Sequence, residues 1–152
     1  MKQLREFLRQ QSTLTLATVD SKGLPAAADL YFATDTELKL YFISEKHAQH
    51  AQNLASNQQV AGSVHGQAWD WQEIRGLQFR GQCRPLTASK ERLAGLKLYG
   101  QKFNFLQAFA AAITRHVVYE IAPHWMRWLD NGASFGHKQE WILKDGQWVE
   151  AE

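Results

Sequence analysis

The sequence is poor in several features that would narrow its function class. Its 152 residues include one cysteine, Cys83, and three prolines. A lone cysteine excludes an intrachain disulfide, and nothing in the composition indicates an oxidising compartment. The longest apolar-rich segment, Phe103–Ile113, is too short to span a bilayer. Residues 1–11 are amphipathic and charged, unlike a signal peptide. We therefore expect a cytoplasmic protein with no membrane partner.

Charge of one sign is also scarce, and several catalytic motifs are absent. The 17 Lys and Arg residues nearly balance 15 Asp and Glu residues, which leaves a net charge of +2. Nucleic-acid binding needs a concentrated basic surface, so we expect no nucleic-acid partner. The chain contains no Gly-x-Ser-x-Gly, Walker or His-Glu-x-x-His motif. Cys83 falls on a predicted strand, and we interpret it as a packed residue and not as a nucleophile.

Aromatic side chains are abundant. Hydrophobic residues make up 45% and aromatic residues 12% of the chain, as in a globular protein. Six of the aromatics are tryptophans, and they occur in the second part of the sequence: Trp69, Trp71, Trp125, Trp128, Trp141 and Trp148. Such a density suits a barrel core, a dimer interface or the site of a flat-ring cofactor, and core packing is the default.

The pattern of apolar and turn residues predicts many antiparallel strands with helices between them. The predicted strands are Thr13–Val19, Ala26–Ala33, Glu37–Ile43, Val60–His65, Gly76–Leu86, Val117–Ile121, His124–Leu129, Trp141–Lys144 and Gln147–Val149. The predicted helices are 1–11, Ser44–Asn57, Ala88–Gly100 and Phe103–Thr114. Pro123 is expected to interrupt a strand. Residues 69–71 fit either a bulged strand or a loop over a site.

This order of elements indicates one domain, 1–152, of the α+β class and mainly β. A closed or partly closed barrel is the expected architecture, although periodicity alone does not distinguish a barrel from an open sheet.

One segment has the pattern of a phosphate site. Residues 38–53 form an alternating strand that runs into a helix opening Ser-Glu-Lys-His. We interpret Ser44 as the helix cap, with Lys46, His47 and His50 in the first turns. A helix amino terminus has unpaired N–H groups and partial positive charge, which favour a phosphate. The alternative interpretation is a simple cap with solvated basic side chains.

Several short motifs follow one another across nearly the whole chain. They are Leu16–Val19 with Gly23-x-Pro25, Leu40–Ser44 with Asn53-Leu54, Val60–Gly62, Ile74–Gly81 and Phe135–Lys138. In this order they resemble the FMN-binding split β-barrel family related to pyridoxamine 5′-phosphate oxidase. The resemblance implies a six-stranded antiparallel split β-barrel with flanking helices. It also implies a homodimer with FMN in the groove between the subunits.

The resemblance assigns the phosphate to residues around the strand end. Ser44, directly after Ile43, takes the place of the family's hydroxyl residue, and His50 falls where a helix lysine usually grips the phosphate. Ala48 and Gln49 stand where the family has a serine and an arginine. Lys46 and His47 are expected to compensate for these missing donors.

The resemblance also assigns residues to the rest of the flavin. The family's strand arginine and lysine are missing from Ala26–Tyr31, but backbone contacts from Ala27, Ala28 and Asp29 to the flavin edge need no particular side chain. Arg75 and Lys138 are candidates to meet the flavin or a substrate anion from the partner subunit. The alternative interpretation of these two residues is ordinary surface charge. Trp69 or Trp71 is a candidate to stack near the ring.

The resemblance implies an FMN-dependent oxidoreductase whose substrate is unknown, in which the flavin carries out the electron transfer. The family oxidase's arginine-rich terminal segment is replaced here by Phe135-Gly136-His137-Lys138, so we do not expect pyridoxamine phosphate as the substrate. No catalytic side chain is assigned.

Two alternatives to an FMN enzyme remain open. The first is a non-catalytic module of the same fold that holds haem or another flat cofactor. Its axial ligand would come from the six histidines, which are His47, His50, His65, His116, His124 and His137. The second is a metal site at His47 and His50, which share one predicted helix face but have no nearby cysteine or carboxylate except Glu45 to complete a ligand set.

Overall fold

The computed structural model describes residues 1–104, 110–113 and 115–151, and its main element is one antiparallel sheet of nine strands. The strands are β1 (Thr13–Val19), β2 (Pro25–Tyr31), β3 (Ala33–Thr34), β4 (Leu40–Ser44), β5 (Gln59–His65), β6 (Arg75–Pro85), β7 (Val117–Asp130), β8 (Lys138–Lys144) and β9 (Gln147–Glu150). Their order in the sheet is β2-β1-β5-β6-β7-β4-β3, with β8 beside β7 and β9 beside β8. The sheet curls around one apolar core and does not close.

In the residues that the structure describes, helices and a short 3₁₀ turn flank the sheet. The helices are α1 (Lys2–Gln10), α2 (Gln49–Ser56), α3 (Ser89–Lys102) and α4 (Ala110–Ile113), and the 3₁₀ turn is Trp71–Glu73. Half of the helix expected at Phe103–Thr114 lies outside the described residues. None of the helices in the described ranges is long and apolar enough to cross a membrane.

The core forms because alternate residues of most strands are apolar and face inward. Leu4 and Leu8 of α1 are fully buried, and Phe7 packs edge-on against Trp128 at 4.8 Å between ring centroids. Trp128 and Trp141 are the two core tryptophans, whereas Trp69 and Trp71 are exposed. The default interpretation of the tryptophans as core residues therefore holds for only part of the set. Cys83 is buried as expected, and burial raises the pKa of its thiol to about 12.

The strand expected to break at Pro123 is continuous. β7 runs through Pro123 because the ladder with β6 shifts register between Arg80 and Gly81, and Pro123 lies opposite Gly81. A proline has no N–H to donate, so a register shift is a position that tolerates it. Gly81 is needed there, since a Cβ on it would lie 2.4 Å from the carbonyl oxygen of Ala122.

The same bulge separates two partners of β7 on one edge. Val117–Ile121 pairs with β4, and Trp125–Leu129 pairs with β8. The sheet therefore branches at Pro123, which is what allows it to curl into a split barrel without closing.

The strand predicted at Glu37–Ile43 begins later than expected, at Leu40 of β4. Leu38 has a left-handed backbone, with a φ of 68°, and belongs to a turn in which the Asp35 carboxylate accepts the N–H groups of Glu37 and Lys39 at 2.9 Å each. Local side-chain hydrogen bonds of this kind compete with strand pairing. The side chain of Leu38 is still buried. Its place in the apolar pattern therefore reflects packing in the core and not a strand conformation.

Gly62 allows β5 to pack under an aromatic ring, and we predict that Gly62→Ala destabilises the protein by about 1–3 kcal/mol, the usual range for overpacking. An added Cβ would lie 2.3 Å from Cζ of Phe79 and 2.6 Å from the Thr15 carbonyl oxygen. Urea unfolding measures the change. Gly66→Ala is the matched control, because its Cβ would meet nothing closer than 3.6 Å. Equal unfolding free energies for the two variants would show that the contact is not tight.

Candidate cofactor site

A short hydrogen bond between a hydroxyl and an imidazole connects the end of β4 to the first turn of α2. Ser44 is the last residue of β4, pairs with Val117 and is 8% exposed. Its Oγ lies 2.6 Å from Nε2 of His50, which stands in the first turn of α2. Two polar groups that the sequence predicted for one ligand are thus in direct contact.

The expectation that Ser44 caps the helix is wrong. β4 continues through Ser44, and a turn closed by the Ala48 N–H on the Glu45 carbonyl oxygen at 3.2 Å separates it from α2. The N-cap is Ala48, and no side chain caps the helix. The first-turn N–H groups of α2 are therefore left without a side-chain acceptor, a situation that favours an anion.

Lys46 and His47 lie in this turn and not in the first helical turn, because the helix starts only at Gln49. Both side chains are exposed. They flank the open amino terminus of α2 and are placed to approach an anion there.

The environment of His50 favours the neutral form of its ring. The imidazole is half-buried, and the ring of Phe42 lies edge-on to it at 6.0 Å between centroids. Phe42 is itself fully buried and stacked on Tyr119. Burial lowers the pKa of His50, since a charged imidazolium loses hydration among these apolar neighbours.

The position of α2 depends on the buried amide of Asn53, a residue that the sequence motif contains but to which it assigned no role. Nδ2 of Asn53 donates to Oγ1 of Thr18 on β1 at 2.9 Å, and its Oδ1 accepts from Gln49 at 2.9 Å. Both Asn53 and Thr18 are buried. The signal available in the sequence was an asparagine on the apolar face of a helix, beside Leu54. This contact holds α2 against the sheet and so sets the distance from His50 to Ser44.

β2 has backbone groups close to the contact between Ser44 and His50. It lies against α2 and β4, and it pairs with β1 alone, so its second edge has no strand partner among the described residues. The Phe32 N–H donates to the Ser12 carbonyl oxygen, and hydrogen-bonded pairs alternate along an antiparallel ladder. This alternation turns the backbone N–H groups of Ala27 and Asp29 toward the free edge. The intervening residue, Ala28, is half-buried and bonds to β1.

Ile43 contributes differently from its neighbour. Its side chain is directed to the opposite face of β4 from Phe42 and packs with Ala33 and Val118 beneath α3. Only its backbone faces the region of Ser44.

Arg75 and Lys138 are not brought to this place within one chain. Ser44 pairs with Val117 at the start of the 14-residue strand β7, whereas Arg75 pairs with Asp130 and Lys138 with Leu129 at its end. Nε of Arg75 donates to Oδ1 of Asp130 at 2.9 Å, and Asp130 is buried. Lys138 is exposed.

Two loops at this far end are joined by Asn131. Its Nδ2 donates to the Trp71 carbonyl oxygen at 2.9 Å, and its Oδ1 accepts the Gly136 N–H at 3.0 Å. The joined loops present Trp71 and Phe135 in an edge-on pair at 5.5 Å. Residues 69–71, which the sequence left open, thus belong to a loop and the start of a 3₁₀ turn. Among the residues described, no three His, Cys, Asp or Glu side chains come together as a metal site.

Comparison with known proteins shows to which family this chain is related. The sequence model of the pyridoxamine 5′-phosphate oxidase family matches residues 1–130. The chain belongs to this oxidase-related family. The resemblance of the short motifs is confirmed, and so is the α+β split-barrel fold that it implied.

The chain is similar to UPF0306 proteins of two Yersinia species. The UPF0306 protein of Yersinia pestis is 29% identical over 138 residues, which cover 91% of this chain and 90% of the relative. The UPF0306 protein of Yersinia pseudotuberculosis matches to the same extent.

Solved structures share the split barrel. HutZ, the haem storage protein of Vibrio cholerae, superposes with a TM-score of 0.70 at 22% identity, covering 80% of this chain and 88% of HutZ. Campylobacter jejuni ChuZ gives a TM-score of 0.78 at 13% identity, covering 99% of this chain and 61% of ChuZ. A haem-binding protein of Mycobacterium smegmatis gives 0.73 at 16%, covering 90% and 57%. At these identities the likeness shows the fold alone.

We predict that His50 makes the protein less stable in mild acid. Because its pKa is lower in the folded state than in the unfolded chain, the unfolded state binds the proton first as the pH falls below about 6.5. Stability is then lost progressively until the folded-state pKa is passed. The His50→Gln variant should lose less unfolding free energy than the native protein between about pH 7.5 and about pH 5.5, measured by urea unfolding. His65→Gln, at an exposed ring, is the control; an equal loss in the native protein and His50→Gln would refute the assignment.

We predict that Asn131→Ala costs about 0.5–1.5 kcal/mol of unfolding free energy for each of the two hydrogen bonds lost, the usual net value of such a bond. The Trp71 carbonyl and the Gly136 N–H lose their partner together. Asn131→Asp keeps the acceptor for Gly136 and loses the donor, so it should fall between the native protein and Asn131→Ala. Urea unfolding followed by tryptophan fluorescence tests the order of the three proteins, and any other order contradicts the role of the amide.

Proposed function

We propose that the protein binds FMN at a homodimer interface and acts as an FMN-dependent oxidoreductase of unknown substrate. The observation that carries the proposal is the contact of Ser44 with His50 beside the uncapped amino terminus of α2. Membership of an oxidase-related family supports a flavin as the ligand. When bound, the flavin supplies the electron transfer, and the protein supplies orientation and electrostatics.

The donors at the end of β4 fit a phosphate. The Ser44 hydroxyl donates to an anion once it turns from His50, and first-turn N–H groups of α2 add backbone donors. Lys46 and His47 bring charge from the exposed turn. His50 becomes a donor when its Nε2 carries a proton, a state that a bound dianion favours against the effect of burial.

The free edge of β2 fits the polar rim of a flavin ring. The N–H groups of Ala27 and Asp29 are directed to this edge, and the absence of large side chains at Ala27 and Ala28 lets a flat ring approach the backbone. The site therefore combines a phosphate end at Ser44 with backbone contacts along β2. This division suits a chain that lacks the basic strand residues of its family.

The need for a partner subunit follows from the length of β7. One chain places Ser44 and Arg75 at opposite ends of this strand. In a two-fold dimer, the partner subunit's sheet can lie over the cofactor groove of the first subunit. Arg75, held by Asp130, and the exposed Lys138 would then reach a flavin or a substrate anion across the interface.

Haem is the second candidate ligand, because two neighbours with TM-scores of at least 0.70 are described as haem proteins. A haem would need an imidazole free to ligate iron. His124 is an exposed histidine on β7 and His47 is exposed in the turn before α2, so both rings are accessible. This function would be storage or transfer of the cofactor and not electron transfer to a substrate.

We predict that Ser44→Ala combined with Lys46→Ala weakens FMN binding by about 1.5–3 kcal/mol for each charge-assisted hydrogen bond lost, which is roughly tenfold or more in Kd. Flavin fluorescence titration and retention of flavin absorbance through a desalting column give the affinities. The matched control is Ser21→Ala with Lys22→Ala, a neighbouring Ser-Lys pair in the exposed β1–β2 turn.

Three results separate the candidate functions. Loss of affinity in the first double variant alone supports the FMN site. Equal FMN affinities of the two double variants would contradict the assignment of the phosphate to Ser44. If the native protein retains haem and not FMN in parallel titrations, the haem function replaces the flavin function.

A further inference from the structure

The outer face of the sheet carries two rows of side chains that cross six strands. Cross-strand pairing aligns residues whose side chains point away from the core. The first row is Asp29, Thr15, Ser63, Gln78, Arg127 and Glu140, and the second row is Ala27, Ala17, Ala61, Arg80, Trp125 and Ile142. We call these two rows the outer face.

One half of the outer face is flat. On β2, β1 and β5 the second row consists of three alanines, and the first row adds Thr15 and Ser63. No side chain there is large enough to keep another backbone away. Beside it, Arg80, Trp125 and Arg127 form the wall of a shallow depression of about 330 Å³. A flat half next to a raised wall gives the outer face a shape that is complementary to a second copy of itself.

The wall contains two cations: Arg127 pairs with a carboxylate, and Arg80 does not in the described residues. Nε of Arg127 donates to Glu140 at 2.7 Å, and Trp125 donates to the same carboxylate at 3.2 Å. The Arg80 guanidinium stacks over Trp125 at 4.6 Å from its centroid, and no carboxylate pairs with it in the described ranges. Arg80 is therefore fixed in direction with its charge open to a partner.

An acid without a cationic partner lies on the same face. Asp29 accepts a hydrogen bond from Thr15 at 2.6 Å and forms no ion pair with the described part of the chain. It is exposed on β2, separated from Arg80 on β6 by β1 and β5. One face thus carries an open anion and an open cation on either side of a flat centre.

We propose that two copies of this chain meet through the outer face, and that Asp29 of each copy pairs with Arg80 of the partner subunit. A two-fold axis that lies in the interface and runs between β1 and β5 exchanges the two positions, so the ion pair forms twice. A surface complementary to itself in charge and shape fits a second copy better than an unrelated protein. The inference rests on the homodimer of the proposed function and locates its interface.

This arrangement has a consequence for the cofactor site. Asp29 lies on β2, whose free edge carries the backbone groups proposed to contact the flavin. The rim of the interface would therefore run along the cofactor groove, and each flavin would lie within reach of the partner subunit.

A charge swap tests the pair by sedimentation equilibrium on the full chain without added cofactor. We expect Asp29→Arg and Arg80→Asp each to raise the dimer Kd at least about tenfold, because each places like charges opposite one another. The double variant Asp29→Arg/Arg80→Asp should restore dimerisation toward the native level. Lys90→Asp, an exposed charge reversal on α3 with the same change in net charge as Arg80→Asp, should leave the dimer unchanged. Circular dichroism confirms that each variant is folded.

Each outcome decides between the interface and the function on which it rests. Dimeric single variants, or a double variant that stays monomeric, overturn the Asp29–Arg80 interface and leave the FMN proposal standing. A native protein that is monomeric at every concentration overturns both this interface and the homodimer. FMN titration of the same samples is read separately, so loss of the dimer and loss of the phosphate site are distinguishable. A second disrupting variant, Ala61→Trp in the flat centre, should also dissociate the dimer, and a dimeric Ala61→Trp protein would contradict the flat contact.

Discussion

The fold depends on how β7 changes partner at a proline. β6 pairs along the strand from Asp130 to Tyr119, while β4 and β8 share the opposite edge in turn. The missing N–H of Pro123 and the missing Cβ of Gly81 make the register shift at this point sterically and chemically tolerable. Because β4 ends at Ser44 and β8 begins at Lys138, this one strand also sets how far apart the two groups of candidate ligands lie.

The candidate site is formed where regular structure leaves polar groups unpaired. An uncapped helix, a half-buried imidazole and a free sheet edge come close together around the end of β4. An empty site costs stability, since the open N–H groups have no side-chain acceptor among the described residues and the ring of His50, although paired with Ser44, is desolvated. The anchor of α2 through Asn53 and Thr18 preserves the arrangement, which is consistent with a preorganised ligand site.

Much of the fold was predictable from local pattern, and the failures have specific causes. The apolar stripe of α1 and the alternation of β1 and β5 agree with the structure because one face of each packs on the core. The helix cap at Ser44 was wrong because strand pairing with Val117 outweighs a serine's local preference for a cap. The break at Pro123 was wrong because β7 takes up the proline in a bulge, where His124 has no partner on β6, and the sequence of β7 does not show that pairing.

The sequence by itself determined the class of fold and the family, because these depend on periodicity and on motifs that occur within short stretches. The residues that would hold a phosphate remain a prediction from the same motifs. Only the tertiary structure decided that Ser44 and His50 touch, that Arg75 and Lys138 lie at the other end of β7, and that Asp29 and Arg80 share an outer face. Those relations arise from strand order and register, which join residues far apart in the chain. No local pattern encodes them, because register is settled by the packing of the whole sheet on its core.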